Sequence, residues 1–522
     1  MSALRSFQQA QTTAVGGVKV PKSYVPDVDR ALLDANARDY EFPASSGSFA
    51  PGQISQIMIP QSACRYLLGG SLYLNCTVQV TGTATQQNTA YITYFTGGPT
   101  KSAAALISRL TISTSGGTIL TDIVNYPVWH NIILCHASNL GYKQDAMCQE
   151  HAYGIISTEA TGDPTDETIA LSIPLASGLF NQVKAFPLWA ISGPLIIQIQ
   201  WSQAADCIGI APAVGSGLLI PGGVGFPVQA FGPGYTNTAG VTGITVPFTY
   251  AGSLLGVRCM MADVDPEYIA EQKLQMAQGR MLTYNYQNVV GLQTNSGAAS
   301  INFGVNCSSL LAVFGAQLLT DARSQIANSI DAFGTGAWLG SWGYSQNYLS
   351  NIRVFRDGTQ LSAFPICQSG RDDAFAPLQQ ALGILFSTSN STHCTKVNSE
   401  QKVPGADDHC RFSYSSLNAG GSLTTPIFGA PGGTFNIPPV WGGMKTYESG
   451  SVYAPSAFVW GLSARKCNDD DISNSGSQCS QLQFTTDADN AAGAVSTATH
   501  YLFYLFSASA TFDLTGNCAV RR

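Results

Sequence analysis

From about residue 52 the chain alternates apolar and polar residues in short runs. "ISQIMIP", "SLYLNCTVQV", "SRLTIST", "TIALSIPL" and "LIIQIQWS" each carry Ile, Val, Leu or Tyr at every second position or nearly so. That period of two is the signature of a strand with one buried face. Clusters of Gly, Pro, Asn and Ser separate the runs, and 53 Gly and 25 Pro supply the turns that many strands need. The pattern predicts an all-β chain.

Three segments depart from it. In "DPEYIAEQKLQMAQG", Asp265 stands at an N-cap, Pro266 at the first helical position and Glu267 in the first turn, and Gly279 stands where a helix closes in the left-handed region. A short helix is predicted there, at the midpoint of the chain. A second is predicted at "PVWHNIILCHASN" from Pro127, and a third at "DVDRALLDANAR" within an otherwise polar first stretch of about 50 residues.

The halves on either side of the midpoint helix repeat a phrase. "ISRLTISTSGGTILTDIVNYP" (Ile107 to Pro127) answers to "LSNIRVFRDGTQLSAFPI" (Leu349 to Ile366). Ile112 matches Val354, Gly117-Thr118 matches Gly358-Thr359, Leu120 matches Leu361 and Pro127 matches Pro365, at slowly drifting offsets. "YLNCTV" at Tyr73 resembles "GVNCSS" at Gly304. Similar order with drifting spacing is what two copies of one domain give when their loops differ in length. Sandwiches of about eight strands with long connections are jelly rolls. The expectation is therefore two tandem eight-stranded jelly-roll β-sandwiches joined by a short helix: an N-terminal arm at 1–50, a first jelly roll at 51–264, a linker helix at 265–280 and a second jelly roll at 281–522. Insertions such as "VGSGLLIPGGVGFPVQAFGPGYTNTAG" and "GTGAWLGSWGYSQNY" are long loops of the functional or partner-bound kind. A length of 522 residues agrees, being too much for one ordinary core.

Composition narrows the role. Charged residues are 11% of the chain, against about 25% in an average soluble protein. A surface so poor in charge is expected to face neighbours rather than water. The net charge is −7, and the terminal Arg521-Arg522 pair is the only basic doublet at that end, so no basic stripe exists for a nucleic-acid backbone. No run reaches the 18 or so apolar residues of a membrane span. The opening "MSALRSFQQAQTTAVGG" lacks the apolar core of a signal peptide, and synthesis in the cytosol is expected.

Candidate chemistry is sparse. His130 and His136 do not share a helix face, so a metal pair there is not expected. Paired metal-holding jelly rolls would need an H-x-H, and none occurs. "GGPTKS" at Gly97 has no glycine directly before its lysine, unlike a phosphate loop, and no G-x-S-x-G is present. "NDDDISNS" (Asn468 to Ser475) lacks the Gly and closing Glu of a calcium loop. The sequons at Asn75, Asn306 and Asn390 matter only in a secreted chain. The 13 cysteines contain no C-x-x-C; Cys394 with Cys410, or Cys467 with Cys479, are close enough in sequence to bridge loops under oxidation, and a reduced, buried set is expected otherwise. No catalytic, cofactor or metal residue is assigned, no cofactor is expected, and the chain is not expected to be an enzyme.

The order of these parts, from polar arm through "ISRLTISTSGGTILTDIVNYPVWHNII" and "VDPEYIAEQ" to aromatic "THYLFYLFSASATFDL", resembles the major capsid proteins of the double jelly-roll viral lineage, with the flavour of polinton-like viruses, virophages and large eukaryotic DNA viruses. The resemblance covers the chain from about residue 50. It implies a structural subunit of the virion, made in the host cytosol, whose homotrimers form pseudo-hexagonal capsomers that tile an icosahedral shell. It implies contacts with neighbouring capsomers, a single jelly-roll penton protein at the vertices and minor or cement proteins, with an internal membrane met through the N-terminal arm. Trp338 and Trp342 in the inserted loops are candidate interface anchors. The alternative is a tandem β-sandwich carbohydrate-binding protein or hydrolase, which export evidence or a strand-borne carboxylate pair would favour.

Overall fold

The computed structural model describes residues 37–81, 91–95, 102–137, 157–159, 168–182, 184–212, 249–279, 281–295, 300–319, 349–366, 374–383, 458–465, 476–488 and 498–522. The first half supplies eight long strands: β1 (Ala37–Pro43), β2 (Ile54–Ile59), β3 (Tyr73–Thr81), β4 (Ile107–Thr114), β5 (Ile119–Val124), β6 (Thr168–Pro174), β7 (Leu195–Trp201) and β8 (Thr249–Asp263). All their pairings are antiparallel. One sheet runs β1-β8-β3-β6 and the other β2-β7-β4-β5. Lettered B to I in chain order, these are B-I-D-G and C-H-E-F, the order of a jelly roll. Short strands at Ser48–Phe49 and Arg65–Leu67 also pair with β8, and a side sheet joins Tyr91–Phe95, Ser157–Glu159 and Ile208–Pro212.

Alternation does the sorting. In β3, Leu74, Cys76, Val78 and Val80 are buried while their neighbours are half-exposed; in β7, Leu195, Ile197, Ile199 and Trp201 point inward. Each such aliphatic side chain withdrawn from water contributes about 1.5–3 kcal/mol, and a slip of one residue would turn the whole set outward.

The sheet begins earlier than the boundary at residue 50. β1 pairs residue by residue with β8, from Ala37 opposite Ala262 to Pro43 opposite Gly256, and Phe49 is 2% exposed within the core. The alternation of Tyr40 and Phe42 with charged neighbours in "RDYEFP" is the strand signal that the arm reading passed over; both rings pack partly on the core. Of the helix predicted over 27–38, Ala37 and Arg38 belong to β1, and the rest lies outside the described residues.

Helix α1 (Tyr126–His136) follows β5, with Pro127 in its first turn, and α2 (Pro266–Ala277) follows β8. Asp265 caps α2 through its Oδ1, which accepts from the Glu267 amide at 2.9 Å, and Gly279 takes φ +90° beyond the last turn.

The second half repeats the arrangement with one economy. Its strands are β9 (Leu282–Asn295), β10 (Ser300–Leu319), β11 (Leu349–Arg356), β12 (Thr359–Gln360), β13 (Val459–Ser463), β14 (Ser477–Ala488), β15 (Ala498–Phe512) and β16 (Cys518–Arg521). The first part of β10 pairs with β14, which pairs with β11, and β11 with β12. Its second part pairs with β15 and β13, and β15 with β9. The order is again C-H-E-F and B-I-D-G, with β10 serving as both C and D. The switch falls where Asn306 adopts φ +47° and the ladder changes register on either side of Cys307. A second F-to-G helix, α3 (Phe375–Leu382), occupies the place that α1 holds in the first half.

The repeated phrase is thus the E–F hairpin of each sandwich. Ile112 lies in β4 and Val354 in β11, and Gly117 and Gly358 turn at φ +82° and +80°. Two of the sequence matches fall elsewhere. Pro365 precedes Ile366, which bridges to Ile352; the proline in the first turn of the second F-to-G helix is Pro377, one position further in than Pro127 is in α1. Cys76 lies in strand D opposite Leu171, whereas Cys307 lies at the C–D switch opposite Cys479. A dipeptide in a strand is too short to fix its strand.

Candidate functional site: the seam between two sandwiches

The residues singled out for chemistry do not converge. His130 and His136 are both buried in α1. His130 lies beside the Tyr126 ring, and burial pushes its pKa down to about 4, so it is neutral at pH 7. Among the described residues no three His, Cys, Asp or Glu side chains are grouped to hold a metal, and no helix is long and apolar enough to cross a membrane. Of "GGPTKS", Ser102 is described: its hydroxyl caps the short 3-10 turn Ala103–Leu106. Asn75 lies within β3 and Asn306 at the sheet switch. Asn390, Trp338, Trp342, Asn468 to Ser475, Cys394, Cys410 and Cys467 lie outside the described residues.

What does converge is the contact between the halves. The hairpin-like ribbon of β9, β15 and β16 runs past its own sandwich and lies on the first one. Tyr286 Oη donates to the Leu120 carbonyl at 2.6 Å, and Asn288 Nδ2 donates to the same oxygen at 2.9 Å. Tyr284 Oη lies within reach of the Leu179 and Lys184 carbonyls, and burial raises its pKa to about 12, which keeps it a donor. Phe186 meets Tyr284 and Phe512 edge-on, with centroids at 5.3 and 5.9 Å. Trp129 of α1 reaches Phe503 and Phe314, at 5.5 and 5.8 Å. At the chain's end Thr118 Oγ1 donates to the Cys518 carbonyl, and the Ser192 amide to that of Gly516. The backbones approach so closely at Gly178 that a Cβ there would collide with the Gln287 carbonyl. Sequence gave one usable signal for this seam, the aromatics of "MLTYNYQN" and "THYLFYLF". Their cross-sandwich partners are distant in the chain and carry no local mark.

The seam joins the two sandwiches, and the C-H-E-F sheet of each has an outer face turned away from its own core. The outer face of β2-β7-β4-β5 presents the row Gln56, Gln198, Thr111 and Asp122, flanked by the row Met58, Ile196 and Ser113. Its charges cancel internally: Arg109 forms a two-pronged pair with Asp122 at 2.6 and 2.7 Å, and Thr111 donates to the same carboxylate. The corresponding face of the second sandwich carries the row Asn302, Gln483, Phe355 and Gln360. The Gln56 row and this one are both dominated by amide and hydroxyl side chains.

Strand order defines the class of this protein: a double jelly roll, two sandwiches of identical topology in one chain. No protein-family model matches it, and no curated sequence does. Solved structures similar to it include that of the Sputnik virophage by cryo-EM (TM-score 0.49, 11% identity, covering 93% of this chain and 88% of that one). The quasi-atomic capsid model of virus PBCV-1 gives 0.47 and 11%, covering 93% and 96%. The crystal structure of the mavirus major capsid protein gives 0.44 and 10%, covering 96% and 95%. At such identities and scores the strand order itself carries the fold.

Proposed function

We propose that this chain is a viral major capsid protein, a structural subunit without catalytic activity, and that three copies form a pseudo-hexagonal capsomer of an icosahedral shell. The observation that supports it most is the seam. Two copies of one sandwich are locked by buried hydrogen bonds and interleaved rings, so each chain is a rigid two-lobed block. Three such blocks present six similar lobes around an axis. The sparse charge of the chain suits a surface covered by copies of itself, since charged residues are depleted at the centre of protein interfaces. In this reading the sandwiches extend to 264 and from 281, with the arm before them and α2 as the link. A vertex penton protein, minor capsid proteins and, under the arm, a membrane are the further partners. The protein's place is the virion, after synthesis in the host cytosol.

The test is the mass of the purified protein in solution. One chain is 55.0 kDa, so the reading requires a species of three chains that survives dilution and shows a hexagonal outline in negative stain. A persistent monomer, or one that binds glycans with no tendency to assemble, would overturn it.

A further inference from the structure

Two thiols face each other where the second sandwich changes sheets. Cys307 of β10 is the ladder partner of Cys479 of β14. They are 3% and 1% exposed, and the Cys479 thiol donates to the Gln481 carbonyl of its own strand at 3.4 Å. The register shifts both before and after Cys307, and Asn306 takes the left-handed conformation beside it, so the backbone bends around this pair. Facing residues of antiparallel strands have Cα atoms about 4.5–5.5 Å apart, inside the roughly 4.4–6.8 Å that a disulfide spans. The other described cysteines with ladder partners have none of this: Cys76 faces Leu171 and Leu254, Cys259 faces Tyr40 and Cys518 faces Phe512.

We propose that Cys307 and Cys479 form a cross-strand disulfide that staples the C–D switch to strand H when the protein meets a small disulfide oxidant such as oxidised glutathione. When local opening of the switch admits the oxidant, the Cys307 thiolate attacks one sulfur of it and expels one glutathione thiolate, leaving a mixed disulfide on Cys307. Cys479 then gives up its proton and attacks the Cys307 sulfur, expelling the second glutathione. Two protein thiols are oxidised to one disulfide, one glutathione disulfide is reduced to two glutathiones, and the two protons pass to the departing thiolates. The division of labour follows from the environment. The interaction with Cys479 holds the Cys307 thiol below its ordinary pKa, and the same interaction together with burial raises that of Cys479; burial pushes Cys76 up to about 12, and burial with the nearby Asp39 carboxylate does the same for Cys259. Chain made in a reducing cytosol would carry the dithiol, and the staple would close in an oxidising medium. It encloses residues 308–478, and a cross-link over so long a loop restricts the unfolded chain strongly.

The full-length protein is incubated with oxidised glutathione, its remaining thiols are alkylated, and it is digested for mass spectrometry. The expected result is one peptide pair joined through Cys307 and Cys479 and lighter by two hydrogens. The thermal midpoint should rise by several degrees, and dithiothreitol should reverse both changes. Cys307→Ser should abolish the link and the rise, and Cys76→Ser should leave both. Complete alkylation of Cys307 and Cys479 after oxidation, or a bond from Cys479 to Cys467 instead, would overturn the proposal. The cross-link is read in the unaltered protein, so that outcome does not depend on how a variant folds.

Discussion

Each sandwich is pinned across its two sheets by one stacked pair of rings, but the pairs do not correspond. In the first, Trp201 of strand H lies flat on Phe49, at 3.6 Å and 9°, and Phe49 belongs to the short strand that pairs with β8. In the second, Trp460 of strand G lies on Phe484 of strand H, at 5.3 Å and 7°. A glycine stands directly across the ladder from a ring of each pair, Gly252 opposite Phe49 and Gly315 opposite Trp460, where any side chain would collide with that ring. The same device is built from different strands, with the tryptophan in the C-H-E-F sheet in one copy and in the B-I-D-G sheet in the other. Topology has been kept while the packing was solved twice.

The comparison breaks most visibly at those tryptophans. Both are 1% exposed, and removing a buried Trp typically costs about 3–5 kcal/mol. Trp201→Ala and Trp460→Ala should each lower the unfolding free energy by that much in denaturant titrations. If only one of them does, the two stacks are not equivalent fasteners.

A second contrast separates the helices that follow strand F. α1 buries His130, whereas the buried polar residue of α3 is Gln379, which does not titrate. The folded-state pKa of His130 is lowered from 6.5 to about 4 by desolvation. Below pH 6.5 the unfolded chain therefore takes up a proton that the native one refuses until about pH 4. Stability is fully present above pH 6.5 and falls as pH drops through that window, by about 1.4 kcal/mol per unit. Between pH 7 and 5 the loss should be about 2 kcal/mol, and His130→Gln should remove that part of the slope. An unchanged slope would place the acid sensitivity elsewhere.

Legibility in the sequence followed the range of the interactions. The α2 helix could be read because Asp265, Pro266 and Gly279 act on their own neighbours. The E–F hairpins could be read because a glycine turn and flanking alternation lie within a few residues. The pairing of β1 with β8 joins residues some two hundred positions apart, and nothing in "RDYEFP" names its partner. The double use of β10 hinges on one left-handed Asn306, and the Trp–Phe stacks occupy unmatched strands. Of the candidate functional surface, low charge was visible at once, but the seam was not: Tyr286 and Leu120 meet only after both sandwiches exist.

The smallest expected effect tests the equivalence that the sequence did display. In the first hairpin Thr114 and Thr118 close the turn, the Thr114 amide donating to the Thr118 carbonyl at 2.9 Å, and Gly117 is the left-handed residue just before Thr118. In the second, Arg356 pairs with Thr359, and both Asp357 and Gly358 are left-handed, at φ +46° and +80°. The first is the three-residue type of hairpin loop and the second the two-residue type built on Asp-Gly. The second turn is therefore one residue shorter, and that accounts for the slip in offset between the Ile112–Val354 and Gly117–Gly358 matches. No neighbour lies within 4 Å of a Cβ at either glycine, so the whole penalty of substitution is conformational. Gly117→Ala and Gly358→Ala should each cost about 1–2 kcal/mol. Asn at either position should recover most of that, because Asn tolerates the left-handed region. Matched costs in thermal melts would make the two turns the same joint at two lengths. A silent Gly358→Ala would mean that Asp357, whose carboxylate also accepts from the Ser480 and Gln481 amides, holds the second turn without help from its glycine.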